Sequence, residues 1–518
     1  MIKSMNVAWW VQKWAALQPE KAALRFEGRT VTYGELHARA NAASCWLQSV
    51  GIGKGDRVAV VLENGLEFVE VYLACARVGA VFVPLNFRLA AAELDYILGH
   101  ASPRVLVAGR EFAAVVPAPA ATRGESAPLT AWVGGGDAPQ PPGALDYAAG
   151  VAGFAGRSPF RTPSLGASHP EEAHVIMYTS GTTGHPKGAV LSHHKTFFNC
   201  LNADIFLNLS HDDVLLVVLP LFHSGGLFIL ATPALYKGAT LVLQCRFDPV
   251  GAYADIARYR VTKFLAVPTV YRALFRVAPE ERGDTSCLEV CAIGGEKVTP
   301  EMIEECHRNG FTVRQIMGQT ETSILLWASE EEALRRRGTV GRPVFHAEVR
   351  LLGEDGREVR LGEVGEIVVS GPTLMKEYWR DPVETEAALR GGWLHTGDLA
   401  RMDEDGYFFL VDRARDMYIS GGENVYPAEL ELVLKSMPGV ADAAVVGVPD
   451  AEWGEVGRAF VVCGEREGLT REDVLAYCES RLARYKVPKS VIFRRDLPRT
   501  AMGKVRKFLL MDPDAGRG

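Results

Sequence analysis

The chain is 518 residues long, 48% hydrophobic and 23% charged, with a formal net charge of -7. That length exceeds what one simple core holds, so two or more domains are expected. Scattered basic residues and a negative balance exclude a nucleic-acid-binding surface, and nine cysteines without a C-x-x-C pair read as reduced, mostly buried thiols of a cytoplasmic protein.

The first segment, "MIKSMNVAWWVQKWAAL", has the pattern of an amphipathic surface helix. Its tryptophans Trp9 and Trp10 suit packing and leave weak contact with a membrane surface open. Thr32 and Glu35 form a capping box that opens a helix with Leu36, Ala40, Ala43 and Leu47 on one face and Gly51 beyond its end. The runs "DRVAVVLEN", "AVFVPLN", "RVLVAG", "ATLVLQ", "KFLAVP" and "EVCAIGG" read as buried strands, and alternation with helical patterns predicts parallel sheets covered on both faces. The glycines of "GIGKGDR" precede a strand instead of following one, so no Rossmann dinucleotide site is expected.

Residues 115–168, rich in Ala, Gly and Pro, read as a surface excursion. The stretch 214–236 lacks Asp, Glu, Lys and Arg and is long enough to cross a bilayer. Pro220, His223, Gly225, Gly226 and Pro233 break it, which predicts a strand, a turn and a core helix. From about residue 338, "EVRLLGEDGREV", "GEIVVSG" and "GYFFLVD" predict an antiparallel, barrel-like β subdomain. After "DRARD" at 412–416 the pattern restarts with a helix at 427–436, two strands and a helix at 471–484 boxed by Thr470 and Asp473. The expected fold is α/β: a large domain, 1–412, of two parallel-rich sheets between helices plus the β subdomain, then a small α+β domain, 413–518.

"YTSGTTGHPKGAV" at 178–190 follows a strand-like run and concentrates glycines, hydroxyls and one lysine, as a phosphate-holding loop does. It is not a Walker A loop, because Lys187 stands between Pro186 and Gly188. Five further segments follow in order: "GGEKVTP" at 294–300, "MGQTET" at 317–322, "GWLHTGDLA" at 392–400, "DRARDMYISGGENVYPAELE" at 412–431 and "LPRTAMGKVRK" at 497–507. Together they resemble the adenylate-forming superfamily of acyl-CoA synthetases, luciferases and peptide-synthetase adenylation domains, over nearly the whole chain.

The resemblance implies that a carboxylate attacks the α-phosphorus of ATP and that the acyl-adenylate then passes its acyl group to coenzyme A, with Mg²⁺ required. It assigns Thr179, Ser180, Gly181, Thr182, Thr183, Gly184 and Lys187 to the β- and γ-phosphates, and Thr320 to the α-phosphate. Glu321, helped by Thr179, would hold Mg²⁺, whose hard charge prefers oxygen ligands. Gly294, Gly295, Glu296, Met317, Gly318 and Gln319 would surround the adenine, and Asp398 and Arg413 the ribose. Lys504 would act in adenylation, Arg415 as the hinge, and Ser420, Gly421, Gly422 and Glu423 along the CoA tunnel.

His223, Gly225, Gly226, Leu227, Ile293, Gly294, Met317 and Leu325 are the expected acyl pocket, with His223 beside the carboxylate. Met317 stands where the family usually has an aromatic residue, and Glu296 where many relatives carry a small one. The lack of a fixed charge among these residues favours an uncharged tail, a medium or long fatty chain first and an aromatic or alicyclic acid second. The glycines read as leaving room, which disfavours acetate. A silent nucleotide-binding homologue is the alternative of another class. Partners are expected to be the small molecules alone, on a monomer or homodimer.

Overall fold

A computed structural model describes residues 5–116, 127–134, 145–157, 169–179, 185–295, 298–353, 355–413, 417–464, 468–498, 505 and 507–511. It divides into two compact units, one of Met1–Phe87, Leu98–Met177 and Gly188–Val411, the other of Arg88–Ile97, Tyr178–Lys187 and Asp412–Gly518.

The expected apolar runs build two large sheets. The nine strands of one lie in the order Arg342–Pro343, Ser323–Ala328, Val313–Gln319, Val290–Gly294, Lys263–Ala266, Val214–Val217, Thr240–Leu243, Ala22–Phe26 and Arg29–Thr32. The eight of the other lie in the order Glu377–Tyr378, Lys187–Ser192, Ala173–Thr179, Val81–Pro84, Arg57–Val61, Val105–Gly109, Leu129–Val133 and Leu145–Asp146. Their interior strands pair in parallel. Helices cover both faces of such strands, so alternation is replaced by continuous burial: Val58, Ala59, Val60, Val61, Val105, Leu106, Val107 and Ala108 are all at most 1% exposed.

Local signals set the helices. Thr32 and Glu35 close their capping box at the start of Tyr33–Ser49, whose Leu36, Ala40, Ala43 and Leu47 are buried. The first helix, Val7–Leu17, buries Trp10 edge-on against Tyr236 at 5.0 Å, while the Lys13 ammonium covers Trp9. The apolar stretch resolves into strand Val214–Val217, a π-helix Gly225–Ala231 and helix Thr232–Lys237. Among the described residues no helix is long and apolar enough to cross a membrane.

Two expectations need correction. Part of 115–168 belongs to the sheet, because Leu129–Val133 pairs in parallel with Val105–Gly109 and buries Trp132. Asp146 then caps helix Tyr147–Ala152, whose Tyr147 packs edge-on against Trp46 at 5.4 Å. A five-residue buried strand among Ala, Gly and Pro has no periodicity to betray it. The helix expected over 471–484 ends at Glu479, where the backbone tightens and Arg481 N–H turns back to the Cys478 carbonyl at 3.0 Å.

The β subdomain pairs Glu348–Leu352, Gly365–Ser370, Trp393–Met402 and Leu389–Arg390 in antiparallel fashion, with Phe408–Arg413 against Trp393–Met402. In the second unit, Glu423–Val425, Tyr418–Ser420, Gly454–Cys463 and Val440–Asp450 form a sheet joined by the parallel strand Ser490–Arg494. Its own core gathers Tyr418, Leu430, Leu434, Val445, Val461, Val474 and Cys478.

Candidate active site

The "MGQTET" segment forms a tight hairpin. Strands Val313–Gln319 and Ser323–Ala328 pair antiparallel, with Gln319 opposite Ser323 and a bulge between Met317 and Gly318. Thr320, Glu321 and Thr322 make the connection, and Thr322 N–H closes it on the Gln319 carbonyl at 3.2 Å. Gly318 is required here, since a Cβ on it would stand 1.9 Å from the Ser323 carbonyl oxygen. The hairpin therefore presents Thr320 and Glu321 at its tip.

Four hydrogen bonds fix the direction of that tip. The Tyr378 hydroxyl donates to Glu321 Oε1 at 2.9 Å, and Met375 N–H donates to the Glu321 carbonyl at 2.7 Å. Gln319 Nε2 donates to Asp398 Oδ2 at 2.7 Å and to the Thr396 carbonyl at 3.0 Å. Asp398 is itself 4% exposed and stands on strand Trp393–Met402. One hairpin backbone thus carries Gln319, bonded to Asp398, and Glu321, bonded to Tyr378, with Thr320 between them.

Behind the hairpin lies a lysine that sequence reasoning passed over. Lys195 is 1% exposed in the first turn of helix His193–Leu207, and its ammonium donates to Ser323 Oγ. Burial pushes its proton affinity down to about 7, against the opposing pull of the Glu321 carboxylate. One turn on, Asn199 donates to the Phe228 carbonyl at 2.5 Å and reaches Ile324 N–H at 3.5 Å. A charged residue within a buried helical stripe was the available signal; Tyr378, on a two-residue edge strand, offered none.

His223 is half-buried at the head of the π-helix, where Gly225 N–H donates to its Nδ1 at 3.1 Å. That bond leaves the neutral ring's proton on Nε2. The neighbouring glycines have packing reasons of their own. A Cβ on Gly226 would stand 2.4 Å from the Pro220 carbonyl oxygen, and one on Gly294 would stand 2.3 Å from that of Ile316. At Gly226 and Gly294 the reading as leaving room is therefore replaced by close backbone approach. Leu227, Ile293 and Leu325 pack into three different buried clusters, and Met317 is half-buried beside the cluster of Leu325.

Thr179 ends strand Ala173–Thr179 and Lys187, 7% exposed, begins Lys187–Ser192. Between them Ser180, Gly181, Thr182, Thr183 and Gly184 lie outside the described residues, as do Glu296, Arg415 and Lys504. Gly295 takes φ +80° after strand Val290–Gly294, and Arg413 ends strand Phe408–Arg413. In the second unit Gly421 and Gly422 have φ +58° and +85° and join Tyr418–Ser420 to Glu423–Val425. Left-handed backbone at both positions of a two-residue hairpin turn explains the Gly-Gly pair. Buried Ser420 closes that turn opposite Glu423, whose carboxylate pairs with Arg88 at 2.7 Å.

Comparison with known proteins decides the family. Residues 11–379 match the family described as AMP-binding enzyme, and 429–504 match its C-terminal domain. The chain belongs to the AMP-binding enzyme family. Within this adenylate-forming superfamily it falls in the CoA ligase branch. It is 39% identical over 507 residues to a feruloyl-CoA synthase of Amycolatopsis sp, covering 98% of each chain. It is 34% identical over 519 residues to a long-chain-fatty-acid–CoA ligase of Mycobacterium tuberculosis, again covering 98% of each. A solved double variant of o-succinylbenzoate CoA synthetase from Bacillus subtilis, bound to a product analogue, superimposes with a TM-score of 0.85 at 32% identity over 97% of each chain. This AMP-binding enzyme is an AMP-forming acid–CoA ligase.

Proposed function

We propose that this AMP-binding enzyme joins an aromatic carboxylic acid to coenzyme A in the cytoplasm, using ATP. The observation that carries the nucleotide chemistry is the single hairpin that bonds Asp398 through Gln319 and sets Thr320 and Glu321 at its tip, with Glu321 held by Tyr378. The aromatic acid is supported by relatives named for feruloyl and succinylbenzoate groups. A fatty acid is the second reading, favoured by the mycobacterial relative.

In the first step a carboxylate oxygen of the acid attacks the α-phosphorus, the bond to the β-phosphate bridging oxygen breaks, and pyrophosphate leaves. Two anions must approach, so neutralising charge is the main catalytic task. Thr320 would donate to the α-phosphate, and Lys187 with the loop 179–184 would hold the outer phosphates. Asp398 would accept from the ribose hydroxyls, with Arg413 beside them, and Gly294, Gly295, Glu296, Met317, Gly318 and Gln319 would hold the adenine. His223, with its proton on Nε2, would orient the acid's carboxylate. A half-buried carboxylate at a tight turn, one oxygen held by a phenol, is an oxygen donor of fixed direction that suits a hard cation. Glu321, helped by Thr179, would hold Mg²⁺, which supplies charge neutralisation at the phosphates.

In the second step the thiolate of coenzyme A attacks the acyl carbon, the carbon–oxygen bond to AMP breaks, and AMP leaves. A division at 412/413 with a hinge at Arg415 would let Lys504 serve the first step and the turn Ser420–Glu423 the second. The second unit's separate core supports that division. The test is thioester formation from CoA and ATP over a panel of cinnamate-type, benzoate-type and C8–C16 fatty acids. The highest kcat/KM on an aromatic member supports the proposal; the highest on a fatty acid moves it to the second reading.

A further inference from the structure

Lys195 and Ser323 are each in an unfavourable situation, and each is what the other needs. A buried ammonium loses its hydration, and in the first turn of a helix it also faces the positive end of the helix dipole. Ser323 has φ +60°, a left-handed conformation that a side chain makes costly. Among the described residues, the hydrogen-bond acceptor that the Lys195 ammonium meets is the Ser323 hydroxyl. Ser323 is the residue on which the hairpin carrying Thr320 and Glu321 closes, opposite Gln319.

We propose that Lys195 is a positioning residue for acid adenylation: by anchoring the Ser323 hydroxyl it holds residue 323 left-handed and so aims the Thr320–Glu321 tip. The inference rests on the adenylation reading and adds to it a residue outside the nucleotide motifs. The Lys195 ammonium is bonded to Ser323 Oγ, so it acts through the hairpin backbone. Asn199 on the same helix steadies the downstream strand at Ile324, so one helix supports two consecutive hairpin residues. The tip needs such support because a misplacement of about 1 Å in a positioned group costs on the order of a hundredfold in rate.

The measurement is acid-dependent exchange of labelled pyrophosphate into ATP, alongside transfer from a synthetic acyl-adenylate to CoA, in wild type, Lys195→Met, Ser323→Ala, Ser323→Gly and the double variant Lys195→Met/Ser323→Gly. Lys195→Met is expected to slow exchange by roughly tenfold or more, with the KM for the acid little changed and transfer from the preformed adenylate within about twofold of wild type. Glycine takes left-handed backbone without an anchor, so the double variant should regain part of the lost exchange. For the same reason Ser323→Ala should be slower than Ser323→Gly, a comparison that holds even where Lys195→Met does not fold. A double variant no faster than Lys195→Met, equal damage to both half-reactions, or alanine matching glycine at 323 would overturn the role of Lys195. Wild type without exchange on any acid would instead overturn the adenylation reading beneath it.

Discussion

The Tyr378 hydroxyl donates to Glu321 Oε1 at 2.9 Å, joining the edge strand of the eight-stranded sheet to the hairpin tip of the nine-stranded one. Neither residue alone fixes the carboxylate. The hairpin sets its origin and the phenol sets its direction, so a group expected to hold a cation is oriented by both sheets.

Tyr378→Phe removes that donor and keeps the ring. A hydrogen bond to a charged group is worth about 1.5–3 kcal/mol, so pyrophosphate exchange should fall by roughly ten- to a hundredfold, most visibly at limiting Mg²⁺. Titrating Mg²⁺ in variant and wild type checks this. Superimposable Mg²⁺ curves would detach Tyr378 from the cation site.

Asp398→Ala should raise the KM for ATP by about a hundredfold, as the loss of a charged ligand to two hydroxyls does. Gln319→Leu should raise it less, because it removes only the group that orients Asp398. Initial rates over an ATP series order the two variants. A larger effect at Gln319 would mean that the glutamine, not the aspartate, makes the main nucleotide contact.

Gly318→Ala places a Cβ 1.9 Å from the Ser323 carbonyl oxygen, against backbone that cannot rotate aside. The hairpin must open, so exchange should fall by roughly a hundredfold or more and stability by about 1–3 kcal/mol. Thermal unfolding with and without ATP reads both effects. Wild-type activity in this variant would show that the hairpin is not held as described.

Acid should destabilise the protein through His174 and His193, buried rings stacked 4.3 Å apart. Burial, with His193 nearby, holds His174 well below its ordinary value, and burial lowers His193 from 6.5 to about 4. The unfolded chain therefore takes up protons below pH 6.5 that the folded chain refuses. Their contribution is fully present above that pH and is lost as pH falls toward 4, amounting to about 3 kcal/mol for His193. Urea midpoints at pH 7.5, 6, 5 and 4.5 should decline in that order, and His193→Gln should flatten the decline. An equally steep decline in that variant would assign the effect to other groups.

Elements with a local signature were legible in the sequence. The Thr32–Glu35 box and the buried positions Leu36, Ala40, Ala43 and Leu47 all stand as expected, because capping and periodicity act within one turn of chain. The strand Leu129–Val133 was not, since its burial depends on a neighbour more than twenty residues away in sequence. At the site, Gln319, Glu321 and Asp398 were found through motifs, whereas Tyr378 and Lys195 matter only through long-range contacts. The glycines show the reverse error. Gly226 and Gly294 were read as open space, but their neighbours are carbonyl oxygens, and only three-dimensional packing reveals which demand a glycine answers.

The most direct test is label exchange between pyrophosphate and ATP in the absence of CoA, with and without the acid preferred in the ligation panel. Acid-dependent incorporation, abolished in Lys504→Ala while that variant still transfers a preformed acyl-adenylate to CoA, is the expected result. Protein that binds ATP yet incorporates no label with any acid would contradict the account.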